Sequence, residues 1–348
     1  MSDKQIQESG DDSVNIQANS ITVQMGLTYS DVKDIALDVY RENADKLSKV
    51  AQEIAMKRVE EITDEFLLTL KSRNPVGLNS AQDPDFQYAL LTVQREYAKS
   101  GNKDLGDLLV DILVERTKVE QRGLLQIVLN ESLGTAPKLT VSQLNALSII
   151  FSMKYTRSLG MLSLERLTGY LSHRLAPFID DLPDSQASYQ HLEFTRCGST
   201  SLGSHTIPNI FKQKYPGVFT KGFSWNEFHN KASQIKGSEK FLLPCLRDVS
   251  RFQFNAAYHD QLKSEALKLG ISDADCAKLD SFWEQYLMSD EEIKADLFAR
   301  NEKMARLFTV WDDTPMKHMT LTSVGIAIGH AFSRSKTGDS DNLAIWIN

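Results

Sequence analysis

All seven histidines of this 348-residue chain fall after residue 170. The residues best typed for chemistry are His191, Cys197 and His205, spaced by six and eight positions. A thiol becomes a nucleophile when a nearby imidazole takes its proton and donors receive the developing oxyanion. Cys197, Gly198 and Ser199, flanked by the two histidines, supply those residue types and no more. His191, Cys197 and His205 are therefore candidate catalytic residues by composition alone, and the chain is not assigned as an enzyme.

The same three residues fail as a zinc site, which needs four ligands and usually a tight C-x₂₋₄-C or H-x₃₋₅-H pair. No metal ligand is expected. The run at 198–205, GSTSLGSH, has the small residues of a phosphate loop. It lacks the Gly-Lys-Ser/Thr ending whose lysine reaches the phosphates. No G-x-S-x-G, H-E-x-x-H or C-x-x-C occurs, so no cofactor is expected.

Two further groupings come from helices. Segments 142–151 and 163–171 have helix-turn-helix lengths, and the second region carries Arg166, His173 and Arg174. Two antiparallel bundle helices explain the same pattern. The acidic pairs Asp180 with Asp181 and Asp312 with Asp313 are adjacent rather than convergent, as solvated surface residues are. Gly325 and Gly329, four apart in an apolar run, suit a close helix-packing face.

These residues must be positioned by the elements around them, and helices dominate. After Asn74, the Asp83-Pro84 pair starts a helix that Gly101 stops. Helical patterns continue over 105–120 and 124–133. A Thr140 to Gln143 capping box opens the helix through Tyr155, and another starts at Ser163. Residues 83–180 thus read as a helical bundle with short connections. Beyond 180 the pattern is mixed but mainly helical. Residues 191–197 are predicted as a strand, and long helices are predicted over 241–269, 273–288 and 291–311.

The N-terminal part differs. Residues 1–12 are small, polar and acidic, as a disordered tail is. Residues 13–26 form a β-prone leader, in which Val14 and Ile16, then Ile21 and Val23, alternate with polar residues. A hairpin of that length is marginal alone, so it predicts pairing with another strand. Residues 27–75 read as one long amphipathic helix, unbroken or broken near Asn43. The fold expected is mostly α: a helical bundle with a short N-terminal β-hairpin and a small mixed α/β C-terminal region.

Composition sets the remaining bounds. Lys and Arg number 39 against 46 Asp and Glu, a net charge of −7. No basic block of the kind that displaces phosphate counterions is present, so nucleic acid is not the favoured partner. The three dispersed cysteines suit a reducing compartment. The polar N-terminus has no signal-peptide core, and no apolar run is long enough to span a membrane. A cytoplasmic location is expected.

Several segments resemble known sequences. Residues 15–23 (NIQANSITV) and 26–32 (GLTYSDV) resemble leaders of bacterial proteins from mobile, defence-associated neighbourhoods. The stretch 83–155, the segment 215–223 (YPGVFTKGF), 321–330 and 343–347 resemble an uncharacterised family of bacterial hypothetical proteins. The resemblance implies no activity and no catalytic residues. The function expected is a non-enzymatic protein in bacterial defence. It self-associates as a homo-oligomer, or binds a protein partner, through the leader residues Val14, Ile16, Ile21 and Val23. The alternatives are an enzyme with a site near residues 191–205, and a nucleic-acid-binding regulator using helices 142–174.

Overall fold

A computed structural model describes residues 29–77, 83–119, 121–338 and 341–347, with side chains from residue 49 onward. The tail over 1–12 and the leader hairpin with Val14, Ile16, Ile21 and Val23 lie outside the described residues. The chain divides into two units, residues 1–54 and 55–348. In the first, the described residues are helical. Their helix, α1, runs Tyr29–Arg73 with no break at Asn43.

In the second unit, α1 ends by burying Ile62, Phe66 and Leu70, one face at steps of four. Phe66 meets Phe86 of α2 (Pro84–Ser100) with ring centroids 5.9 Å apart. The predicted start of α2 is present: the Asp83 carboxylate accepts from the Asp85 backbone N–H, and Pro84 is the first helical residue. Its stop is Gly101 at φ 59°, the left-handed region where glycine carries no Cβ penalty.

The centre is α3 (Lys103–Arg116), in which Leu105, Leu108, Leu109, Ile112, Leu113 and Val114 are all buried. A helix apolar on most sides must have neighbours on most sides. Those neighbours are α2, α4 (Leu124–Thr135) and α14 (Ser323–Thr337). Each fully buried aliphatic side chain here contributes about 1.5–3 kcal/mol over leaving it in water. The helix α5 (Val141–Ile150) opens with the Thr140 and Gln143 capping box and packs along α14. The expected close face exists: a Cβ on Gly329 would stand 2.8 Å from the Leu147 carbonyl oxygen of α5.

Two helices end in wider turns. The last turn of α5 passes into a π-turn over Phe151–Tyr155, and α6 (Leu164–Tyr170) passes into a second over Leu171–Leu175. Eight residues, 156–163, connect the first π-turn to α6. That connection is longer than the three- or four-residue turn of a helix-turn-helix.

After residue 180 the prediction needs three corrections. Residues 191–197 are not a strand. Ser185 caps α7 (Gln186–Phe194), and the chain turns through Thr195 and Arg196. The helix expected over 241–269 is instead an antiparallel pair, β2 (Leu242–Pro244) with β3 (Phe252–Phe254), followed by α10 (His259–Lys268). The helix expected over 291–311 is two helices, α12 (Asp290–Arg300) and α13 (Met304–Asp313). Asn301 divides them: its backbone is extended, and its side chain accepts from the Lys303 N–H.

A second strand pair joins distant segments. β1 (Gly198–Thr200) runs antiparallel to β4 (Met319–Leu321), with Gly198 opposite Leu321. The remaining helices are α8 (Ile207–Lys214), α9 (Trp225–Lys231) and α11 (Asp273–Glu284). Phe223, Phe228, Phe254, Phe282 and Trp283 build a second apolar cluster between α9, β3, α10 and α11. The protein is thus mostly helical with a few short strands. No described helix is long and apolar enough to cross a membrane.

Candidate functional site: an arginine-lined cleft between two π-turns

The structure places the three sequence candidates in different surroundings. Cys197 is fully buried, its sulfur receiving a 3.6 Å contact from the Thr195 hydroxyl. Burial pushes its thiol above the ordinary range, which lowers the thiolate fraction that nucleophilic attack needs. On α7, His191 pairs through Nδ1 with the Gln143 side chain at 3.0 Å and stacks on Phe194. His205 lines a small pocket with Ser201 and Gly203, and its backbone carbonyl accepts from the Trp311 indole at 2.7 Å. Among the described residues no hydrogen bond joins any two of the three. No group of three or more His, Cys, Asp or Glu is placed to hold a metal among the described residues.

A larger feature lies elsewhere. A cleft of about 850 Å³ opens between the two π-turns. The first π-turn contributes Tyr155, the loop after it Arg157 and Gly160, α6 Arg166, and the second π-turn His173 and Arg174. Trp346, from the C-terminal segment, forms another wall. The π-helix is a rare conformation found as single turns, frequently at functional sites, because its extra residue re-aims the side chains. Here both such turns border one cleft.

Each charged group is held by a specific contact. The Arg157 guanidinium lies 4.0 Å from the Tyr258 ring centroid and 3.4 Å from Asp260. Arg166 Nη1 donates to the Gly160 carbonyl at 2.6 Å. A Cβ at Gly160 would collide with that guanidinium, so the glycine makes room for the arginine. Arg174 pairs with Asp341 at 3.1 Å. The Trp346 indole donates to the Tyr155 carbonyl at 2.9 Å and meets Phe151 edge-on at 4.9 Å. These contacts fix the indole against the first π-turn.

The charge balance of the lining is three arginines against one carboxylate, Asp341, on a chain whose net charge is −7. Low-dielectric walls lined by one sign of charge concentrate ions of the opposite sign. Guanidinium forks match phosphate and carboxylate oxygens in pairs. An indole face beside them accepts a stacked planar ring.

Arg166, His173 and Arg174 were legible as a basic grouping on one helix. Arg157 and Trp346 carry no such signal in the sequence. Nothing local marks Arg157 except its place after a helix end, and Trp346 reaches the site from 191 residues beyond Tyr155.

No curated protein and no solved structure matches the chain at a significant level. A family model matches residues 26–347, nearly the whole sequence. The chain belongs to this uncharacterised family.

Proposed function

We propose that the protein is a binding protein whose cleft between the π-turns takes a phosphate-bearing ligand with a planar ring, the chemistry of a nucleotide. The phosphate sits among Arg157, Arg166 and Arg174, and the ring lies against Trp346. The observation supporting this is the excess of arginine over carboxylate around an aromatic-walled cleft. The volume is in the range of small-ligand sites. This reading keeps the 142–174 helices as the basic element, without a helix-turn-helix.

Calorimetric titration of the full chain tests it, using nucleoside mono- and triphosphates, inorganic phosphate and short single-stranded oligonucleotides. Saturable binding of a nucleotide, lost in Trp346→Ala, is expected. Binding of the oligonucleotide alone would assign the cleft to a nucleic-acid strand. Absence of binding by all four at millimolar concentration would reject the proposal.

A second reading has its own support. Val50 and Ile54, four apart on α1, are 54% and 48% exposed. Met56, Leu67 and Leu68 on the same helix are exposed too. Exposed apolar side chains along one helix suit an association surface, Val50 and Ile54 sharing one face. We propose that this helix and the leader over 13–26 mediate self-association, in the bacterial defence setting that the leader's likeness suggests. Light scattering of Val50→Asp/Ile54→Asp, and of a chain lacking residues 1–26, should show a smaller species. An unchanged mass in both would dismiss it.

A further inference from the structure

Among the described residues many buried or half-buried cations meet a carboxylate. Arg116 pairs with Asp83 and Asp85, Arg247 and Arg300 with Asp296, and Arg334 with Asp111 and Glu115. That is the ordinary solution, because an unpaired charge away from water is costly. Lys154 and Lys214 depart from it. Lys154, on the first π-turn, donates to the carbonyls of Lys317 and Met319 at 2.8 Å each, and more distantly to Met316. Lys214, the last residue of α8, donates to the carbonyls of Ser152, Met153 and Thr156. No carboxylate pairs with either ammonium among the described residues.

Both lysines line one pocket of about 300 Å³. Its other walls include Ser201, Gly203 and His205 of the 198–205 loop, Gln213 of α8 and Thr320 of β4. No carboxylate is in the lining. The glycine- and serine-rich loop, which has no lysine of its own, is therefore faced by two lysines brought from other elements. β1 and β4 pair at the base of that loop, and Ser201 continues the pairing by donating to the His318 carbonyl.

The simplest role for the lysines is to cap the carbonyls at the ends of the π-turn and of the short 3₁₀ turn Pro315–His318. Capping accounts for each lysine separately. Lys154 also lies 5.3 Å from the Trp311 ring centroid, but neither contact accounts for two ammoniums without a carboxylate partner at one polar-lined cavity. Carbonyl dipoles supply only partial negative charge, and burial still depresses both ammoniums to about 8. An anion seated between them would supply the missing full charge.

We infer that the pocket formed by Lys154, Lys214 and the 198–205 loop is a binding site for a small oxyanion, a phosphate or carboxylate group. The Thr320 hydroxyl, the Gln213 amide and the His205 imidazole can supply hydrogen bonds, and the volume admits only a small ligand. The site stands apart from the arginine cleft in composition. Among the described residues Tyr155 is the one common to both linings.

The test is calorimetric titration of the full chain with inorganic phosphate and, separately, with a small dicarboxylate. Three variants accompany the wild type: Lys154→Met, Lys214→Met and His205→Glu. His205 is exposed and engages Trp311 through its backbone, so the glutamate leaves the fold intact while placing a negative charge at the pocket. All are measured in an Arg157→Ala/Arg166→Ala background, which removes the arginine cleft as a competing anion site. That background should bind one equivalent of phosphate or dicarboxylate, the tighter of the two naming the group. Each lysine variant that folds, and His205→Glu, should weaken this binding at least tenfold. Absence of binding by both anions at about 10 mM in the background lacking the arginine cleft, or undiminished binding in His205→Glu, would overturn the inference.

Discussion

Arg334 on α14 grips Asp111 on α3 through two nitrogens, at 2.6 and 3.0 Å, across 223 residues of sequence. Both side chains are buried. Glu115, one turn further along α3, is 2.8 Å from the same guanidinium, and Arg73 of α1 reaches both carboxylates. Coulombic attraction of Arg334, Lys118 and Arg73 holds Glu115 below its ordinary carboxyl range despite its burial. The network ties the end of α1, the central helix and the last helix together.

Arg334→Leu should therefore destabilise strongly. Removing one partner from a buried pair leaves the other's charge unmet, at a cost of about 3–5 kcal/mol. Arg73 and Lys118 remain as partial compensation, so the lower end is expected. Urea unfolding measures it; a loss below about 1 kcal/mol would show that the network is solvated and weak.

Gly329→Val should open the contact between α14 and α5. The new side chain meets the Leu147 carbonyl and the Phe151 side chain, and overpacking of this kind costs about 1–3 kcal/mol. Thermal unfolding should show a lower midpoint, with Gly134→Val as the reference, since a Cβ there meets nothing within 4 Å. Equal effects at both positions would point to helix propensity alone.

Glu65 of α1 gives a pH signature. Burial first, then the hydrogen bond and negative charge of Asp107 on α3, raise its carboxyl to about 7, with Lys103 opposing and Glu61 adding. Between its unfolded value near 4.5 and 7 the native state holds more protons than the unfolded chain. Stability from this group is thus fully present below about 4.5 and is lost as pH rises through 7. Glu65→Gln should flatten the stability profile over that interval and leave the variant relatively more stable at pH 8. A wild-type profile already flat from pH 5 to 7.5 would contradict the raised value.

Much of the helical framework is written locally. Asp83 with Pro84, Thr140 with Gln143, Ser163 and Gly101 mark ends that the structure keeps, because a cap is satisfied by neighbours two or three residues away. The glycines of α14 also announced a close face. What failed depends on distant partners. Phe252 and Phe254 are strand residues because Leu242 and Pro244 lie opposite them, and the same apolar spacing also suits a helix. β1 exists only because β4 arrives from 121 positions later, Gly198 meeting Leu321 and Ser199 meeting Thr320. The π-turns leave no local mark, so the cleft they frame was visible only as the basic residues Arg166, His173 and Arg174. Lys154 and Lys214 carry no local signal either; only contacts with distant carbonyls half-bury them.

Gly160→Ala is the gentlest probe of the arginine cleft. The added methyl must displace the Arg166 guanidinium from the Gly160 carbonyl. Gly160 is in a loop, so stability should change little. Nucleotide affinity should fall about tenfold, the worth of one charge-assisted contact. Unaltered affinity would show that Arg166 is not held for the ligand.

The most direct measurement is the equilibrium affinity of Arg157→Ala/Arg166→Ala for a nucleoside triphosphate, set beside that of the wild type at one salt concentration. Binding by the cleft predicts a saturable wild-type isotherm and a loss of about a hundredfold or more in the double variant, from two guanidinium contacts of about 1.5–3 kcal/mol each, with circular dichroism unchanged. Equal affinity of the two proteins would contradict it.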